Sequence, residues 1–170
     1  MEMAKRKMMT GKRFLSFMLS EENYCIDILK VKEIMGMSAI TRIPQAPEFL
    51  RGIIDLRGQI IPIIDLRLKF GRPFREYTKR TSIIVVEVML QNELALMGLI
   101  VDMIQEVVGI PEDKIKKIAC LSTKIRSDFI QGIAETADGI KIVLDITRVL
   151  NENEFVVLKN FNDTNKGEKI

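Results

Sequence analysis

Histidine and tryptophan are absent from this 170-residue chain, and cysteine occurs only twice. Without histidine there is no Ser-His or Cys-His activation of a nucleophile, no ordinary acid/base group for neutral pH, and no imidazole for zinc. Cys25 and Cys120 stand in unrelated contexts, with neither metal-ligand spacing nor a disulfide framework. Cys25 lies within the apolar YCIDI and reads as a small buried hydrophobe. Long hydrophobic runs are missing too: Asp, Glu, Arg or Lys interrupts every apolar stretch short of the ~20 residues a membrane helix needs. The glycines fall singly, so no phosphate-binding or nucleophile-elbow motif is present. The carboxylate pairs Glu21-Glu22 and Glu112-Asp113 look like loop charges, not a general acid and base. What survives of enzymatic readings is a groove carboxylate, Glu33 or Glu106, acting as base, and the missing motifs weigh against it.

What is present describes a globular protein: 47% hydrophobic and 29% charged residues. The net charge of +3 owes much to Lys5, Arg6, Lys7, Lys12 and Arg13. Residues 1–12 read as a flexible basic leader without the apolar core of a secretory signal. A nucleic-acid arm is the alternative for that cluster, though no aromatics interleave the charges. The polar end FNDTNKGEKI places a disordered tail over 160–170. Five of the ten methionines fall at Met1, Met3, Met8, Met9 and Met18, so their number says little about a contact surface. Met35, Met37, Met97 and Met103 read as core. A chain of this length buries about 70% of its extended surface, whereas half of it is marginal alone, so two subdomains are expected to share a core.

The pattern is that of short strands. RFLSFML (13–19), YCIDI (24–28) and TSIIVVEVML (81–90) are strand candidates, and LALMGLIVDMIQEVVGI (94–110) reads as one long strand ended by Pro111. Turns are expected at SEEN and QNE, and short helical turns at IDILKV, APEFLRG and DLRLKFG. A C-terminal helix is expected over 147–159 with Thr147 as N-cap.

An internal repeat organises these pieces. EFLRGIIDLRGQIIPIIDLRLKFG (48–71) matches DFIQGIAETADGIKIVLDITRVLN (128–151) at an offset of 80, pairing Phe49 with Phe129, Gly52 with Gly132, Ile60 with Ile140 and Asp65 with Asp145. VKEIMG (31–36) matches IQEVVG (104–109) at an offset of 73, pairing Glu33 with Glu106 and Gly36 with Gly109. The difference places an insertion between Pro111 and Ser127. Two β units follow, a first over about 13–78 and a second over about 80–150, each of about five strands able to curl into a small barrel. Packed face to face, they would leave a groove for a partner.

The repeat also isolates Arg57. Both units need a hairpin here, yet the second fills it with Thr136-Ala137-Asp138-Gly139 and needs no arginine. Pro62, opposite Ile142, marks a strand edge or bulge in the first unit only. Asp65 and Asp145, shared by both, read as caps of the turn after the strand.

These residues resemble the CheW family of chemotaxis coupling proteins. The likeness spans about residues 12–158 and is carried by YCIDILKVKEI (24–34), ITRIPQAPEFLRGIIDLRGQIIPIIDLRLKFG (40–71) and GLIVDMIQEVVGI (98–110). The family's N-L-R-G motif stands here as Asp55-Leu56-Arg57-Gly58, aspartate replacing asparagine. The resemblance implies a mainly β domain over 13–158: two five-stranded SH3-like barrels with short helical turns and the C-terminal helix. It implies a non-enzymatic, cofactor-free and metal-free cytoplasmic adaptor recruited to membrane-receptor arrays. Its implied partners are the histidine kinase CheA, through a CheW-like regulatory domain, and the cytoplasmic tip of methyl-accepting chemotaxis proteins. Nucleic acid and direct membrane insertion are not implied; a small β-barrel nucleic-acid-binding or other interaction module is the alternative. Carried over residue by residue, the receptor contact involves Val31, Glu33, Ile34, Arg57, Gly58, Val101 and Ile104. The kinase contact involves Ile40, Thr41, Arg42, Ile43, Leu50, Gly52 and Ile53.

Overall fold

Alternating apolar segments joined by two-residue turns fold locally into hairpins, and four hairpins dominate this chain. The computed structural model describes residues 11–117, 128–150, 154, 156 and 160. Its first half contains β1 (Lys12–Leu19), β2 (Glu22–Asp27), β3 (Val31–Gly36), β4 (Leu50–Leu56), β5 (Gln59–Asp65) and a helical turn α1 (Leu66–Lys69). There follow β6 (Ser82–Leu90), β7 (Glu93–Val101), β8 (Met103–Ile110), β9 (Ile115–Lys116), β10 (Ile130–Thr136) and β11 (Gly139–Leu144). Short 3-10 turns occupy Ile28–Lys30, Glu112–Lys114 and Ile146–Arg148.

The strands form two sheets, one ordered β3-β6-β7-β5-β4 and the other β8-β1-β2-β11-β10-β9. The mainly β fold expected from the sequence is present; where two units of about five strands were expected, there are two sheets, of five and six strands. The chain divides into compact units accordingly, with β3–β7 in Val31–Asp102 and the remaining strands in Met1–Lys30 and Met103–Val149. Each unit has an apolar cluster: Ile54, Ile61, Ile63, Ile83, Val85 and Ile100 in one, and Phe14, Cys25, Ile110, Ala134 and Val143 in the other.

This pairing corrects the consecutive halves 13–78 and 80–150. The repeat itself stands: β3-β4-β5 occupy in one sheet the places of β8-β10-β11 in the other. The hairpins that open the two repeats are exchanged, β1-β2 joining β8 and β11 while β6-β7 join β3 and β5. A repeat in sequence fixes which strands are equivalent, but near-identical apolar patterns do not say which copy a hairpin will pair with. The expected single strand over 94–110 is likewise two strands in different sheets, broken at Asp102, the lone charged residue between Glu93 and Glu106. Of the helical turns, those at IDILKV and DLRLKFG form, whereas APEFLRG makes a turn closed by Leu50 N donating to Pro47 O before β4 begins.

Equivalent details recur in both units. Asp65 N donates to Phe49 O and Asp145 N to Phe129 O, both at 2.8 Å. The Asp65 side chain caps α1 by accepting from Arg67 N and Leu68 N, and Asp145 accepts from Thr147 N. Asp145, in extended backbone as an N-cap requires, caps the 3-10 turn Ile146–Arg148, and Thr147, expected as the cap of the C-terminal helix, lies inside that turn. Most of the expected helix over 147–159 lies outside the described residues, as do most of the leader and tail.

Pro62 now has a physical reason. The parallel ladder of β5 on β7 begins at Ile63, one residue beyond the proline. In the other unit the ladder of β11 on β2 begins at Lys141, so Ile142 lies inside it and pairs with Tyr24. A residue inside a central ladder must donate; one before it need not. Ile142→Pro is expected to lower stability by about 2–3 kcal/mol and Pro62→Ile by well under ~1 kcal/mol, as read from urea unfolding midpoints.

Candidate functional site

The β4-β5 hairpin turns on two residues, Arg57 and Gly58, between the register partners Leu56 and Gln59. Both adopt left-handed backbone, φ 52° and 85°, the tight turn whose twist matches that of the strands. Gly58 enters this region freely, whereas an L-residue such as Arg57 pays about 1–2 kcal/mol of steric cost. Asp55 Oδ1 accepts from Gly58 N at 2.8 Å, closing the turn. An asparagine oxygen would do the same, so the Asp-for-Asn departure leaves the motif's geometry intact. In the other unit the loop residues Ala137 and Asp138 avoid left-handed backbone, and Gly139 takes φ 119° instead.

Arg57 Nη2 donates to both carboxylate oxygens of Glu33 on β3, at 3.0 Å each. The arginine side chain remains 78% exposed and Glu33 28%. An ion pair this open contributes roughly 0–1 kcal/mol, so most of the guanidinium's five donors stay available to a partner. Val31 is half-buried at the start of β3 and Ile34 exposed farther along it. Val101, by contrast, is fully buried at the end of β7, so its side chain belongs to the interior and is withdrawn as a contact. Ile104 is half-buried in β8, a strand of the other sheet.

The residues expected to contact the kinase assemble along the β4 edge. Thr41 and Ile53 exchange backbone hydrogen bonds at 2.9 Å in both directions, docking the segment after β3 onto β4. A register shift between Leu50 and Gly52 and a φ of 145° at Gly52 accommodate that docking. A Cβ at Gly52 would lie 2.1 Å from Thr41 O and 2.7 Å from Ile40 Cγ2. Leu50 is buried beneath this edge, Ile40 packs on the apolar cluster, and Arg42 and Thr41 are exposed. Beside it, Arg42, Ile43, Pro44, Pro47, Leu50 and Arg51 line a concavity of about 330 Å³. Pro44, Pro47 and Arg51 had escaped sequence reasoning; their signal was the two prolines three residues apart around Gln45, which adopts φ 61°.

Beneath the edge, Asp65 is buried and its carboxyl is pushed up by that burial, partly reversed by the hydrogen bonds it accepts. Tyr77 Oη donates to Asp65 Oδ2 at 2.9 Å, and burial followed by the neighbouring carboxylate pushes the phenol to about 12. Arg51 stacks over Phe74, whose ring meets Tyr77 edge-on, tying the segment after α1 to β4. Arg67 of α1 is buried and paired with Asp102. Cys25 is a core thiol pushed to about 12 by burial, consistent with an inert apolar role. Among the described residues no group of three metal-ligating side chains occurs, and no helix is long and apolar enough to cross a membrane.

Two sheets of this order carrying an exposed arginine turn make a mainly β module with a surface suited to recognition. The model of the CheW-like domain matches residues 13–154, and the chain belongs to that family. It is 34% identical to the chemotaxis protein CheW of Klebsiella aerogenes over 150 residues, covering 88% of each chain. It is 33% identical to that of Treponema pallidum, covering 87% of each. The crystal structure of the scaffolding protein TtCheW from Thermoanaerobacter tengcongensis superposes with a TM-score of 0.74 at 39% identity, over 85% of this chain and 96% of that one.

Two outcomes test this geometry. Gly52→Ala is expected to cost about 1–3 kcal/mol and to deprotect the Thr41 and Ile53 amides in hydrogen exchange. Tyr77→Phe leaves Asp65 Oδ2 without its donor and is expected to cost about 1–2 kcal/mol. Because folding raises the phenol's pKa, the stability linked to Tyr77 is complete below about pH 10 and is lost as pH rises through about 12. Chemical denaturation across that range checks the direction.

Proposed function

We propose that this chain is a non-enzymatic adaptor that couples methyl-accepting chemotaxis receptors to the histidine kinase CheA at receptor arrays. The observation that carries the reading is Arg57. It sits in a left-handed turn, whereas the equivalent hairpin closes with neither an arginine nor left-handed backbone at its two loop residues; it keeps 78% of its side chain exposed and is oriented by Glu33. An arginine retained at a steric cost and left accessible suits a partner's carboxylates or carbonyl groups. Glu33, Arg57, Gly58, Val31 and Ile34 form the receptor side of the proposal; Ile104, on β8 of the other unit, is proposed separately.

The kinase side is the Thr41–Ile53 edge with Ile40, Arg42, Ile43 and Gly52. The backbone groups of Thr41 and Ile53 are taken by each other, so recognition along this edge falls to its exposed side chains and to the neighbouring pocket. The concavity beside Pro44 and Pro47 is that pocket. Recruitment to the membrane is then through receptors, with no insertion by the chain itself.

Arg57→Ala is expected to leave the circular dichroism spectrum and melting temperature nearly unchanged while weakening receptor binding tenfold or more, equivalent to about 1–2 kcal/mol. Arg57→Gly should raise stability by up to ~1 kcal/mol, by relieving the left-handed strain, and weaken receptor binding equally. Calorimetric titration with a receptor cytoplasmic fragment measures both; normal binding by either variant would sink the role of Arg57.

A further inference from the structure

The apolar residues of the two exchanged hairpins are alike enough for either repeat to accept either one, yet each hairpin sits on a single repeat. The interior of the six-stranded sheet holds the feature that distinguishes them. Lys141 on β11 is 2% exposed, and its Nζ donates to Ser16 Oγ on β1 at 2.9 Å. Ser16 is fully buried and donates in turn to Gln105 Oε1 on β8 at 2.7 Å. The direction of this relay is fixed, because an ammonium can only donate and so leaves the hydroxyl to donate onward. Among the described residues no carboxylate pairs with Lys141. Its register partner on β2 is Asn23, whose buried Oδ1 has no hydrogen-bond partner among the described residues.

The five-stranded sheet shows what the fold itself needs at these places. Lys141 corresponds to Ile61, as the pair Glu135–Ile140 corresponds to Asp55–Ile60. Gly36 pairs with Ser82 and its repeat equivalent Gly109 with Arg13, so Ser16 corresponds to Val85. Ile63 pairs with Gly98 and its equivalent Val143 with Cys25, so Asn23 corresponds to Leu96. Ile61 and Val85 are fully buried in an apolar cluster, and Leu96 packs on it. Three interior positions that are apolar in one sheet are thus polar together in the other. A fourth differs with them. Ala134, opposite Lys141, stands where the other sheet sets Ile54 opposite Ile61, and its small size makes room for the longer side chain.

Burying an ammonium and a hydroxyl where isoleucine and valine suffice does not favour stability; what it supplies is discrimination between pairings. Seated on β8 and β11, the β6-β7 hairpin would bring Val85 and Leu96 to Lys141 and leave the ammonium buried without its acceptor. Seated on β3 and β5, the β1-β2 hairpin would set Ser16 and Asn23 against Ile61. It would also put Met18 in the place of Glu87, which pairs with Lys32 at 3.3 Å. We propose that the Lys141–Ser16–Gln105 relay, with Asn23, is the device that decides which hairpin joins which repeat. The two ends of the relay lie on the repeat and its centre on the hairpin, so only the observed combination completes it.

The test places cysteines where each pairing would join them, in a Cys120→Ser background that leaves the buried Cys25 as the only other thiol. Arg13→Cys with Gly109→Cys reports the observed pairing of β1 with β8. Arg13→Cys with Gly36→Cys reports the exchanged pairing of β1 with β3, since Gly36 is the equivalent of Gly109. The full chain is refolded from urea and oxidised, and the disulfide-linked product is read on a non-reducing gel. The parent is expected to form the first link and none of the second. Ser16→Val with Asn23→Leu and Lys141→Met, methionine filling the space beside Ala134, is expected to match or exceed the parent's melting temperature. In that triple variant the second link should rise to roughly a tenth of the product. Ser16→Val alone strands the ammonium and should lower the melting temperature by about 10 °C, and adding Lys141→Met should restore it. A triple variant that forms only the first link, or that does not fold, would overturn the proposal, as would a parent that forms the second link. Ser16→Val as stable as the parent would overturn it too.

Discussion

Parallel pairing of β5 with β7, and of β11 with β2, is the constraint on which the rest of the structure depends. Parallel neighbours cannot be joined by a tight turn and need a crossover. Between β5 and β7 the crossover runs through α1, the segment after it and β6, whereas β2 and β11 are joined through all the strands from β3 to β10. Each ladder is short, Ile63–Asp65 on Gly98–Ile100 and Lys141–Val143 on Asn23–Cys25, and each sets a small residue opposite a β-branched one. A Cβ at Gly98 would stand 2.5 Å from Ile63 Cδ1 and 2.8 Å from Ile83 Cγ2, so the close approach there depends on glycine. In the sheet of five strands, β3 and β4 are the two edges, yet Glu33 on one bonds Arg57 at the tip of the other. That bond exists because the sheet curls, and the sheet can curl only if β5 is held on β7.

The sequence made the equivalences between strands legible and left their partners hidden. The matches of 31–36 with 104–109 and of 48–71 with 128–151 identified strands that hold corresponding places in the two sheets. The caps at Asp65 and Asp145 were readable for the same reason, because a carboxylate just before a turn has one strong local use. The exchange of β1-β2 with β6-β7 was not readable, since SFMLSEENYCID and VVEVMLQNELALMG offer similar apolar faces to either repeat. The break at Asp102 was hidden by the apolar residues on both sides of it. At the site, Arg57 was singled out by the contrast with Ala137, whereas burial disqualifies Val101, whose β-branched side chain reads alike as core or contact.

The repeat separates folding from function more sharply than either unit alone. Where the copies agree, in the backbone bonds Asp65–Phe49 and Asp145–Phe129 or the close approaches at Gly52 and Gly132, the shared feature follows from the strand arrangement. Where they differ, local physics sorts the differences into two kinds. Pro62 against Ile142 is explained by where a ladder begins and calls for no partner. Arg57 against Ala137 is not explained in this way: the left-handed turn costs about 1–2 kcal/mol, and the open pair with Glu33 returns at most about 1 kcal/mol. A folded chain without a partner would gain by exchanging that arginine for glycine. Its strain sits at the rim of the curled sheet beside an exposed edge, so the free energy that offsets it is to be sought in a complex.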